Sequence, residues 1–178
     1  MRSSLIFLAH LDDADIAWMQ TACRKRPMSA DEDVIANGVV NQDLYLLLAG
    51  TCRVAAPDGR ALDTLHSGDI IGEVSFVDGR LTTARAHVSA DSGAVLAHFS
   101  AQVMQEQLAA DPGFASRFYR GIASVLAYRL RRNLQFALGV GIDVLDSDKT
   151  YAGEVDPADL EVTARAGARL NHLIKALT

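Results

Sequence analysis

The stretch IGEVSFVDGRLTTARAHV, Ile71–Val88, decides how the rest of the chain reads. An apolar strand end runs into Gly72-Glu73. A short turn of helix is predicted over Val74–Phe76, an Asp78-Gly79 turn follows, and then an alternating strand begins. A glycine followed by the start of a helical turn presents several backbone N–H groups in one direction. That arrangement suits a phosphate, because it offers donors and partial positive charge without a side chain. Glu73 beside it can accept a hydrogen bond from a sugar hydroxyl, or it can satisfy nearby backbone or an arginine. Ser75 can donate to the same phosphate or cap the short turn.

Outward from this stretch, residues 25–99 consist of short apolar runs broken by turns. Val34-Ile35 precedes Asn37-Gly38, and Asp43–Ala49 precedes Gly50. Thr51–Ala56 runs into Pro57-Asp58-Gly59, Ala61–Leu65 into Ser67-Gly68-Asp69, Ala84–Ala90 into Asp91-Ser92-Gly93, and Ala94–Phe99 closes the series. Strands of this length with Gly, Asn, Asp or Pro between them predict an antiparallel sandwich or barrel. Ala84, Ala86, Val88 and Ala90 share the inward parity of the last cassette strand, and Thr82 shares it too.

Helices flank this β region. Asp12 or Asp13 can cap a helix through Ile16, Trp18, Met19 and Ala22. Ser100 caps Ala101–Ala110, Pro112 suits the first turn of a new helix, and a long helix is expected from about Gly113 to Leu138. Phe114, Phe118, Ile122, Leu126, Leu130, Leu134 and Leu138 recur every four residues and form one apolar ridge. Its distal part has no β region to cover. Arg117, Arg120, Arg129, Arg131 and Arg132 make the other faces basic. Residues 139–154 read as a Gly- and Asp-rich linker, and Asp156-Pro157 starts a last helix striped by Leu160, Ala164, Leu170, Leu173, Ile174 and Leu177. The acidic residues around it predict that this segment folds back on the basic long helix.

The Gly72-Glu73-Val74-Ser75-Phe76 stretch resembles the phosphate-binding cassette of the cyclic-nucleotide-binding domain family, of the catabolite activator protein type but without its DNA-binding domain. In that family the cassette reads Gly-Glu-x-Ala/Ser-Leu, then about five residues, then Arg-Ala/Ser-Ala. Gly72, Glu73 and Ser75 match; the arginine's place falls on Thr82 or Thr83, and Ala84 keeps the small-residue pattern. Gly38, Gly50, Gly59, Gly68 and Gly72 fall at the family's glycine places, and Asp31 stands where a glycine is common. The resemblance covers about residues 12–138. It implies a mainly β fold with flanking helices: a jelly-roll-like antiparallel barrel, a long helix behind it, and here one extra terminal helix. It also implies a ligand, cyclic AMP or cyclic GMP, seated on Ile71, Gly72, Glu73, Val74 and Ser75, with Thr82 and Thr83 beneath and Arg80 as the nearest surrogate cation. Arg85 has outward parity, and Arg129, Arg132 or Asn133 could reach in from the long helix. A threonine donates one neutral hydrogen bond where an arginine gives a bidentate, charge-assisted pair. At about 1.5–3 kcal/mol for a charged hydrogen bond, the exchange weakens cyclic-nucleotide affinity roughly 10- to 200-fold.

Composition sets the outer bounds. The 178 residues are 49% hydrophobic with a net charge of −5, enough for one core plus an appendage. We divide them as residues 1–138, carrying the β region and long helix, and residues 139–178. An acidic chain has no long-range attraction for nucleic acid or anionic lipid, and residues 139–178 hold no recognition-helix pattern. Cys23 and Cys52 have no metal-like spacing and read as buried thiols in a reducing cytoplasm. His10, His66, His87, His98 and His172 are dispersed, without a metal interval or a nucleophile beside them. The expectation is a cytoplasmic, non-enzymatic, regulatory module in signal transduction, with no cofactor. It would be a homodimer through the long helix, signalling to a protein partner without nucleic acid or membrane. The second expectation is an interaction or dimerisation module that has lost its ligand.

Overall fold

The computed structural model describes residues 3–80, 82, 85–88, 93–137 and 157–177. Two short helices, α1 (Ser3–Leu8) and α2 (Asp13–Ala22), precede five strands: β1 (Arg24–Met28), β2 (Asp33–Ile35), β3 (Leu44–Ala49), β4 (Thr51–Ala55) and β5 (Ala61–His66). The cassette supplies β6 (Ile70–Ile71), α3 (Glu73–Asp78) and β7 (Arg85–Val88). Then come β8 (Ala94–Phe99), α4 (Ala101–Ala110), α5 (Pro112–Ala137) and α6 (Pro157–Leu177). The strands pair antiparallel into two four-stranded sheets, in the orders β1-β8-β3-β6 and β2-β7-β4-β5. This is the jelly-roll-like, helix-flanked β fold that the sequence predicts.

The two sheets differ in what they bury. In β3 every residue from Leu44 to Leu48 is buried. Tyr45 and Leu47 point between the sheets, where they meet Cys52, Leu65 and Leu96; Leu44, Leu46 and Leu48 point the other way, into a core shared with the helices. A sheet covered on both faces needs an unbroken apolar strand, and β3 is one. In β4 only Cys52 is fully buried, while Arg53 is exposed, so this sheet faces solvent on its outer side.

The helical core is aromatic. Phe118 of α5 sits edge-on to Phe7 of α1 at 5.5 Å and to Phe76 of α3 at 5.5 Å. Gly121 is what lets α1 approach α5: a Cβ there would lie 2.7 Å from the Phe7 ring. The ridge on α5 divides as its pattern implies. Phe114, Phe118 and Ile122 are buried, whereas Leu130 and Leu134 are 60% and 50% exposed. Leu138 and the 139–154 linker lie outside the described residues.

Three features differ from the sequence reading. The apolar run near the N-terminus forms a helix of its own, α1, held by Ser3, whose N–H and hydroxyl both donate to Asp69 Oδ1 at 3.0 Å. The segment RKRPM forms an edge strand, β1, registered against β8; its charges and Pro27 conceal a strand from pattern reading, although proline is tolerated at an edge. Finally, α6 packs chiefly on α1 and α2, with Ala166, Leu170 and Leu173 in the helical core. The charge logic there is the reverse of the one expected. α6 brings the base, since Arg169 donates to Asp13 at 2.7 Å and to the Leu8 carbonyl at 3.1 Å. Most of the acidic residues expected to lie against α5 fall outside the described residues.

Candidate ligand-binding site

At the end of β6 the chain turns through Gly72, at φ +94°. A Cβ there would stand 2.5 Å from the Asp43 carbonyl oxygen, so only glycine brings β6 past the start of β3 and into α3. α3 is a short helix, closed when the Gly79 N–H donates to the Ser75 carbonyl at 2.9 Å. Phe76 fastens its inner face to α5, and Val74 and Val77 stand exposed on its outer face.

Glu73 is 2% exposed. Its carboxylate receives Arg129 Nη1 from α5, and Arg129 Nη2 donates to the Ile70 carbonyl at 2.6 Å. Of the readings the sequence left open for Glu73, satisfying an arginine is the one the structure displays. A second arginine on the same stretch of α5, Arg132, pairs with Asp63 of β5. The distal half of α5 is thus tied by two guanidinium groups to the strand ends around the cassette.

Thr82, one of the two positions where the sequence resemblance puts an arginine, is 8% exposed. Its hydroxyl donates to the Ala36 carbonyl at 2.7 Å and accepts the Val39 N–H at 3.2 Å. Its backbone exchanges two more bonds with residues 38 and 39, each 2.9 Å. A hydroxyl has one proton to give, and this one is committed to the loop after β2. Thr82 therefore braces the wall of the site and has no proton left for a ligand. The Arg80 N–H donates to Asp78 Oδ1 at 3.0 Å, and the Arg80 side chain is exposed at the rim.

These groups surround one cavity of about 690 Å³. Residues 71–75, Arg80 and Thr82 all line it, as do Arg129 and an apolar floor that includes Ile35, Leu65 and Ala86. Small-molecule sites run from about 300 to 1,000 Å³, mostly apolar with a few convergent polar groups, and this cavity has that character. Thr83 lies outside the described residues. Sequence reasoning named Arg129 only as one of three long-range contacts. The visible signal was an arginine on the long helix, but the helical period alone cannot measure its reach to Glu73.

Two polar pairs elsewhere are structural. Asp43 Oδ2 meets His98 Nε2 at 2.8 Å while its Oδ1 accepts the Ala101 N–H at 2.7 Å, joining β3 and β8 to the start of α4. His10 Nε2 meets the Ser124 hydroxyl at 3.0 Å, and burial, helped by Arg120, pushes the His10 pKa down. Among the described residues no group of three or more His, Cys, Asp or Glu could hold a metal ion. No described helix is long and apolar enough to cross a membrane.

Residues 25–111 match the family model of the cyclic nucleotide-binding domain. A cyclic nucleotide-binding domain from Methylobacillus flagellatus has the same fold, with a TM-score of 0.67 at 18% identity, over 76% of this chain and 82% of that one. The catabolite activator protein of Thermus thermophilus superposes with a TM-score of 0.58 at 21% identity, over 94% and 84% of the two chains. An uncharacterized NTE family protein of Mycobacterium tuberculosis is 25% identical over 119 residues, 67% of this chain. The chain spans 20% of the length of that relative.

Proposed function

We propose that the protein is a regulatory sensor module that binds a cyclic nucleotide, or a related phosphate-bearing small molecule, against the Gly72–Ser75 turn and reports occupancy through α5. The observation that carries this reading is the cavity itself. It has the volume of a small-molecule site, it is lined by the cassette residues, and Arg129 of the helix that would transmit the signal reaches its lining. The first N–H groups of a helix have no partner within it, so the turn into α3 offers donors to a phosphate. The module has no catalysis of its own and works as a homodimer, with Leu130 and Leu134 of α5 meeting their copies. For a signal to result, the ligand must favour one placement of α5 over another.

A second reading has a specific observation behind it. Glu73 already holds Arg129, and Thr82 is spent on its own loop, an arrangement that also suits a ligand-free scaffold for a protein partner. Thermal unfolding with and without millimolar cyclic AMP and cyclic GMP separates the two. A ligand at a hundred times its dissociation constant adds about 2.7 kcal/mol, a melting shift of roughly 5–11 °C for a chain of this size. A shift with one nucleotide that Glu73→Gln diminishes establishes the sensor. No shift with either nucleotide moves the assignment to the scaffold.

A further inference from the structure

We infer that Arg129, delivered from α5, is the cation that meets the phosphate in this protein, and that it does so while still holding Glu73. The inference rests on the sensor reading above and names the residue and the coupling within that same site. Thr82 is neutral and has given its proton to Ala36, so the strand that carries the family's arginine supplies no charge from that position. Two cations line the cavity, Arg80 and Arg129. Arg80 stands exposed on the turn after α3, where water screens it. The Arg129 side chain is 22% exposed and is already oriented by a carboxylate and a carbonyl. A guanidinium carries five N–H donors in a fixed fork, and its bonds to Glu73 and Ile70 use two of them.

An anion arriving at the cassette could take Arg129 away from Glu73 or join it there. Taking it away would strand a carboxylate that is 2% exposed, which is costly. Joining it leaves Glu73 paired and adds a second anion to one guanidinium. The bound ligand then lies between α3 and α5, and its phosphate draws the two together. The lining charges are Glu73 and Asp78 against Arg80 and Arg129, which balance.

The test is titration calorimetry of the full chain with cyclic AMP, cyclic GMP and inorganic phosphate, alongside hydrogen exchange of α5. Arg129→Gln should weaken binding about tenfold or more, and Arg129→Lys should recover part of the loss. The double variant Glu73→Gln/Arg129→Gln removes both charges and leaves no buried ion unpaired. It should fold even if Arg129→Gln alone does not, and it should bind inorganic phosphate no better than the single variant. In the wild type, ligand should slow exchange across residues 126–137. Wild-type binding that the double variant retains would overturn the inference and leave the sensor reading standing. Weakened binding in the variants, with α5 exchange in the wild type unchanged by ligand, would overturn the coupling. A wild type that binds none of the three would overturn both readings together.

Discussion

Asp15 concentrates several bonds on one carboxylate. Its Oδ2 accepts the Asp12 N–H at 2.8 Å and Arg117 Nε at 2.7 Å, and its Oδ1 accepts Arg117 Nη2 at 2.7 Å. Burial acts to raise its pKa, but the bonds from Arg117 and Asp12 outweigh burial, and the net shift is downward. A carboxylate held below its ordinary value stabilises the fold above the unfolded pKa, and that stability is lost as pH falls through the folded one. Asp15→Asn should therefore cost about 1–3 kcal/mol at neutral pH, and the gap from wild type should close below about pH 4. Urea titrations of both proteins across that range measure it. Burial pushes the Cys52 thiol up to about 11, so it should resist a thiol reagent in native protein at pH 8 and react only at the rate of unfolding. At Gly72 even an alanine would need a left-handed backbone and would press its Cβ on the Asp43 carbonyl oxygen. Gly72→Ala should lower stability by about 1–3 kcal/mol and close the cassette, which unfolding and ligand titration together would register. At this scale part of the site was legible in the sequence. Gly72, Glu73 and Ser75 announced a cassette, and Asp31, standing where a glycine is common, does take a positive φ of 62°. The role of Thr82 was not legible, because its partners are backbone groups on a loop more than forty residues earlier, and no local pattern encodes them.

Among the elements, those bounded by their own chemistry were legible. Asp12 closes a capping box at α2, Ser100 accepts the Val103 N–H at α4, and Pro112 opens α5. A cap or an N-terminal proline is a local event, visible without knowing what the helix touches. β1 has no such mark, because its strand character comes from β8 beside it. The placement of α6 was equally hidden. Its stripe shows that it must bury a face but does not say against what, and the answer depends on α1, whose own helix was not foreseen. Leu170 is 2% exposed in that contact. Leu170→Ala should cost about 2–5 kcal/mol, measured by chemical denaturation. A much smaller cost would mean that α6 adds little to the core.

For the molecule as a whole, the main question is what covers the exposed end of α5. Leu130 and Leu134 lie one turn apart, beyond the last buried residue of the ridge. Replacing both with aspartate should leave each protomer folded, since substitutions exposed in the single chain usually cost it no more than about 0.5 kcal/mol. It should convert the proposed dimer to monomer in sedimentation. A wild type that already sediments as a monomer would remove the dimer from the proposal. The architecture at this scale was legible because strand length, turn residues and helical ridges are long-range repeats in the text. The division into one sheet buried on both faces and one facing water was not drawn from the sequence, because it depends on where the helices pack.

The contact at Gly121 has a mechanical consequence. Phe7 rests against the α5 backbone there with no side chain between them, so this point is a fulcrum. Leu134 lies thirteen residues further on, a lever arm of about 20 Å at 1.5 Å per residue. A tilt of ~10° about the fulcrum would sweep the leucine end through roughly 3–4 Å, while Phe118, on the short side, would hardly move. An adjustment at the cassette too small to disturb the core would thus emerge, amplified, at the surface where a second protein would sense it.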